Sequence, residues 1–192
     1  VVAPQLGKGS TYQSFGKTMD MPKGIYQSFS SWHLLSLMKT PKVLRDIRDI
    51  LKTSSAPQQL EQLLAMIEGE MGLLLYRAIS GVKAALSHDT EADFAFKAQG
   101  VSLQAPVTRR DFEGWIARDV DQIRTCVLNV LRESQSAPRD IDHIFMTGGT
   151  SFVPAIRAMM ADIFGADKLA GGGEFTSVSA GLALIGQTLQ KG

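Results

Sequence analysis

The sequence predicts an α/β fold that carries a separate helix-plus-hairpin subdomain, and three patterns lead to that reading. The unbroken apolar run Ile144-Phe145-Met146-Thr147 meets Gly148-Gly149-Thr150-Ser151 and then a helical pattern from about Pro154 to Phe164, which reads as strand, glycine turn and helix. Phe94 and Phe96 alternate with polar or small residues, as do Val101, Leu103 and Ala105 beyond Gln99-Gly100, which reads as a β-hairpin. Apolar residues recur at helical spacing after Thr40 and again after Pro57.

Composition sets the limits. The chain has 192 residues, 44% of them hydrophobic, enough to bury one or two compact cores. Lys and Arg total 20 against 19 Asp and Glu, a net charge of +1. That balance provides no broad positive field for nucleic acid or an anionic membrane surface, and neither is expected as a partner. No apolar run approaches the roughly 18 residues of a membrane span. The single cysteine, Cys126, excludes an intrachain disulfide, no Cys/His spacing matches a zinc site, and a reducing cytoplasm is the expected compartment.

In chain order, residues 7–31 are rich in Gly, Ser, Thr, Lys and Gln without sustained periodicity and read as loops around short extended pieces. The aromatics between Ile25 and His33 are expected to anchor the following helix, with His33 structural rather than a ligand. Thr40-Pro41 supplies an N-cap and a first-turn proline for a helix bearing Val43, Leu44, Ile47, Ile50 and Leu51. Its opposite face, with Lys42, Arg45, Arg48 and Lys52, reads as solvated. A longer helix from Pro57 carries Leu60, Leu63, Leu64, Ile67, Met71, Leu74, Leu75, Val82 and Leu86, with Gly69, Gly72 and Gly81 marking a bend, a break or close packing. The hairpin closes at Pro106. Thr108-Arg109-Arg110-Asp111 has the form of a capping box opening a helix whose stripe runs from Phe112 through Trp115, Ile116, Val120, Ile123, Cys126, Val127 and Val130 to Leu131, with Cys126 buried in it. Gly171-Gly172-Gly173 precedes a last helix over residues 177–185.

Two constellations can carry chemistry. A strand that ends in paired glycines and feeds a helix leaves bare backbone N–H groups and a positive helix end at the sheet's carboxyl edge, where nucleotides commonly bind, although the same tripeptide also suits an ordinary turn. Ser80, Lys83 and Ser87 stand at i, i+3 and i+7, a spacing that shares one helix face, whether that face meets a ligand or solvent.

The order of these pieces resembles the second ATPase lobe of DnaK-type heat-shock chaperones. They run from Lys83-Ala84-Ala85-Leu86-Ser87 through the hairpin, the helix after Thr108 and Met146-Thr147-Gly148-Gly149-Thr150-Ser151-Phe152-Val153-Pro154 to Ala180-Gly181-Leu182-Ala183. The resemblance is continuous from about Met71 to Gln187 and is strongest to the divergent YegD-like branch. It implies an actin-like (ribonuclease H-like) lobe. Residues 1–24 would form N-terminal strands of its α/β subdomain, 25–107 an inserted helical and hairpin subdomain, and 108–192 the α/β subdomain with the glycine turn.

By the same resemblance, Ser80, Lys83 and Ser87 would lie toward the ribose and adenine of ATP or ADP, and Gly148, Gly149, Thr150 and Phe152 would close the other side. The family's usual glutamate is replaced by Ser80, its arginine by Ala84, the arginine after the glycine turn by Phe152, and an aspartate by Phe175. The phosphate loops of the family, including an Asp-Gly-Gly-Gly-Thr loop, are absent from the chain, which is therefore expected to begin inside a longer product. The missing first ATPase lobe is the expected partner. Magnesium binding and turnover would belong only to the full-length parent, so this chain alone is expected to be inactive, with no catalytic residue and no metal ligand of its own. Protein clients or an exchange factor are further implied partners. Two other readings stay open: a nucleotide-independent scaffold, and a lobe of another actin-like enzyme such as a sugar kinase.

Overall fold

A computed structural model describes residues 1–30 and 32–170, apart from the side chains at positions 30, 32 and 33. The expected helix over 177–185, Gly171-Gly172-Gly173 and Phe175 lie outside the described residues, as do the side chains of Trp32 and His33. The chain divides into two compact units. The first holds residues 1–85 and 91–108, the second 86–90 and the chain from Arg109 onward.

The first unit opens with a short helix, α1 (Val2–Gln5), and a small antiparallel hairpin of β1 (Thr11–Ser14) and β2 (Lys17–Asp20). Residues 1–24 were expected to supply strands to the sheet of the glycine turn. Instead β1 and β2 pair with each other, and Tyr12 bridges to Ser54 within the same unit. The reason is local: Phe15-Gly16 adopts positive φ at both positions, the geometry of a tight hairpin turn, so the two strands satisfy one another.

Next come α2 (Lys23–Gln27), a 3₁₀ turn over Ser28–Ser30, and α3 (Trp32–Leu37). Tyr26 is the aromatic anchor here. It is buried, its hydroxyl donates to the Leu6 carbonyl at 3.0 Å, and its ring lies 6.1 Å from that of Phe29. Burial pushes its pKa up to about 12.

Helix α4 (Pro41–Leu51) starts where the Thr40-Pro41 pair directs it, with the Thr40 side chain accepting the Val43 N–H at 3.3 Å. The helix from Pro57 breaks in two, as α5 (Pro57–Glu68) and α6 (Gly72–Ala85). Between them Glu70 has φ of 51°. A Cβ on Gly69 would stand 2.5 Å from Gln99 Oε1, 2.7 Å from Met71 Cε and 3.0 Å from the Ala65 carbonyl, so a side chain at the break would have to displace the ends of Gln99 and Met71. Arg48 of α4 pairs with Glu68, and Lys39 of the connection before α4 pairs with Glu70 at 2.6 Å, linking the break to the preceding segment.

The hairpin is β3 (Glu91–Ala98) and β4 (Val101–Thr108), joined by Gln99-Gly100 with φ of 42° and 84°. Pro106 does not close it. It sits inside β4 opposite Asp93, and the strand runs on to Thr108. Phe94, Phe96, Val101, Leu103 and Val107 are buried on one face and join Leu60, Leu63, Met66 and Ile67 of α5 in the unit's core.

The second unit holds α7 (Arg109–Glu133), β5 (Ile144–Phe145), α8 (Pro154–Phe164) and β6 (Leu169–Ala170). The expected strand, glycine turn and helix are present, although β5 stops two residues short of Thr147, and β6, which the sequence reading did not foresee, pairs with β5 in parallel after α8. The α7 stripe is only partly covered. Phe112 and Leu131 are buried, whereas Trp115 is 57% and Val130 59% exposed, and Cys126 is exposed rather than buried. The physical reason is that α7 packs against α8, so the apolar residues pointing elsewhere on a 25-residue helix find no cover among the described residues. No described helix is long and apolar enough to cross a membrane.

Candidate functional site

Helix α6 carries Ser80 and Lys83 one turn apart, Ser80 half-buried and Lys83 exposed. The helix ends at Ala85, so Ser87 does not continue their face as the spacing predicted. It lies on the turn 86–88, half-buried, and belongs to the second unit. Leu86 accounts for the stop. Its side chain is 1% exposed, and its carbonyl accepts the Arg109 Nε–H at 2.9 Å. Lys83 and Ser87 each have interactions of their own within the structure.

The glycine turn begins immediately after β5. Gly148 adopts φ of 80° and ψ of 169°, a region that costs an L-residue dearly and glycine little. Gly149, Thr150 and Phe152 follow in a single 3₁₀ turn (Gly149–Phe152), and Val153 leads into α8 with Pro154 in its first turn. Among the described residues a Cβ built on Gly148 or Gly149 meets no atom within 4 Å, and both glycines and Thr150 are exposed. The turn therefore presents open backbone. Phe152 is half-buried and has interactions of its own, so its ring is not simply displayed to solvent.

One positioning residue escaped the sequence reading. Ser151 is 3% exposed, donates from Oγ to the Gly148 carbonyl at 2.6 Å, and its own N–H reaches the same carbonyl at 3.1 Å. Arg157 Nη1 then donates to the Ser151 carbonyl at 3.2 Å. The signal was present as a serine three residues after a glycine, the spacing at which a hydroxyl closes a turn on backbone.

The residues present fit a nucleoside in chemistry. Lysine and hydroxyl groups meet ribose and ring acceptors, and uncovered glycine backbone permits close approach. The fit to a metal is different: among the described residues no cluster of three or more His, Cys, Asp or Glu could hold one.

The Hsp70 protein family model matches residues 68–192 of the chain. A stromal 70 kDa heat shock-related chloroplast protein of Pisum sativum is 31% identical over 65 residues, covering 34% of this chain and 9% of that protein. The chaperone protein DnaK of Thermosipho africanus is 30% identical over 113 residues, 56% of this chain and 19% of the relative. A chaperone protein HscA homolog of Chromobacterium violaceum is 30% identical over 96 residues, 50% and 16% respectively. The chain thus spans less than a fifth of the length of these relatives. With 68–192 matched as one continuous stretch that includes the α6 end, the hairpin and the glycine turn, the chain belongs to the Hsp70 family.

Proposed function

We propose that this chain is the adenosine side of an interlobe ATP site in a chaperone-like ATPase. Lys83, Ser80 and Ser87 serve the ribose and adenine, and the Gly148–Thr150 turn lies against the nucleoside. The observation that carries this reading is that a single family match spans both constellations in chain order. The open backbone of the glycine turn supports it, because the space a side chain would fill at Gly148 and Gly149 is free of described atoms and leaves room for a nucleoside.

In this reading the chain is a second lobe of the YegD-like branch, acting in the cytoplasm with a first ATPase lobe, and with protein clients or an exchange factor as further partners. The first lobe supplies one phosphate loop and the catalytic groups, and magnesium is held only in the complete protein. Phosphoryl transfer needs positioned loops and a metal, so the isolated chain turns over ATP negligibly. Magnesium-dependent turnover by the purified chain contradicts that part.

Calorimetry of the complete protein with ATP tests the proposal. Saturable binding that weakens about tenfold in Lys83→Ala supports it, as expected for loss of one charge-assisted hydrogen bond. The absence of any heat of binding favours a nucleotide-independent scaffold instead. That second reading draws on Ser80 and Ala84, which stand where the family usually places a glutamate and an arginine.

A further inference from the structure

The two long edges of the β3–β4 hairpin are treated differently. On β4 the Ser102 N–H donates to Gln62 Oε1 at 3.0 Å and the Gln104 N–H to Gln5 Oε1 at 3.1 Å. Next along that edge is Pro106, which has no N–H to offer. Three successive outward positions of the β4 edge are thus closed, by a glutamine from α5, a glutamine from α1, and a proline. These are the devices that stop a strand edge from templating further pairing.

The register shows what this leaves on β3. Ser102 and Gln104 direct their N–H groups away from the hairpin, so their partners Lys97 and Ala95 occupy non-hydrogen-bonded pairs and also turn their backbone groups outward. Asp93, opposite Pro106, continues the series. Asp93, Ala95 and Lys97 are exposed, and among the described residues their outward N–H groups form no hydrogen bond. Among the described residues no glutamine and no proline closes this edge.

The side chains on the open edge are self-complementary. When two β3 strands run antiparallel with their Ala95 residues opposed, Asp93 of each copy lies directly opposite Lys97 of the other. The small Ala95 pair sits on the two-fold axis. All three pairs fall in the outward-facing set, so each exchanges both backbone hydrogen bonds, and opposite charges stand across the strands where they stabilise pairing. A two-fold axis is the commonest symmetry of soluble assemblies and needs only one self-matching patch.

We propose that the β3 edge is a homodimer interface, through which two copies of this chain join their hairpins into one continuous four-stranded antiparallel sheet. The interface requires no nucleotide and stands or falls separately from the adenosine site.

Sedimentation of the chain across its accessible concentration range tests this. A concentration-dependent dimer is expected. Ala95→Pro removes the donor on the axis, at an edge position whose N–H the hairpin does not use, and should yield a monomer with an unchanged circular dichroism spectrum. Asp93→Lys sets lysine against lysine and should raise the dissociation constant about tenfold. Adding Lys97→Asp to it restores the opposite charges and should restore dimerisation. A monomer at all concentrations overturns the proposal. So does an association indifferent to Ala95→Pro and Asp93→Lys, as would arise if copies met through the exposed Trp115 and Val130 of α7.

Discussion

Gly148 and Ser151 show how the glycine turn is held. The positive φ of Gly148 is tolerable only without a Cβ, and the Ser151 hydroxyl ties the same residue's carbonyl at 2.6 Å. Gly148→Ala is therefore expected to destabilise the chain by about 1–2 kcal/mol through backbone strain alone, since the space around it is open. Ser151→Ala should cost about 1 kcal/mol by removing the tie. Urea denaturation of the two variants checks both values. Tyr26 gives a pH-dependent prediction. Its pKa is raised from an ordinary value near 10 to about 12, so the neutral phenol is favoured in the folded state. The resulting stability is fully present below about pH 10 and is lost as pH rises toward 12. Tyr26→Phe should flatten that limb of the stability profile, at the cost of the hydrogen bond to Leu6.

The interruption between α5 and α6 allows two glycines to be set against each other. At Gly69 an added Cβ must push aside the ends of Gln99 and Met71 and sits tight against the Ala65 carbonyl, so Gly69→Ala should destabilise by about 1 kcal/mol. Gly81 lies in α6 with open space around it, and Gly81→Ala should stabilise by about 0.5–1 kcal/mol through helix propensity. Thermal unfolding of the pair distinguishes a glycine held by packing from one that is not. The sequence made many of these elements legible because their signals are local. The Thr40 cap, the Phe94–Leu103 alternation and Pro154 each fix a start or a register within a few residues. The β1–β2 hairpin and the end of α6 at Ala85 were not legible. Phe15-Gly16 hides its turn among other loop residues, and Leu86 looks like the next turn of a helix until Arg109, distant in sequence, takes its carbonyl. Cys126 misled for a related reason: a helical stripe identifies an apolar face and says nothing about whether another element covers it.

At the scale of the molecule, each residue nominated from the sequence belongs to one of the two units. Ser80 and Lys83 fall in the first, and Ser87 with the Gly148–Phe152 turn falls in the second. The sequence could nominate these residues because a family pattern runs continuously through them. By the family resemblance Ser80 stands where a ribose hydrogen-bond acceptor is usual and Ala84 where an adenine-stacking arginine is usual, so weakened nucleotide binding is the expectation to measure. The most direct test is residue-resolved. Amide resonances of the chain are followed by NMR as ADP is added. The account predicts that Lys83, Ser87, Gly148 and Gly149 shift together along one saturable curve. Shifts absent from both groups, or confined to one of them, would contradict it.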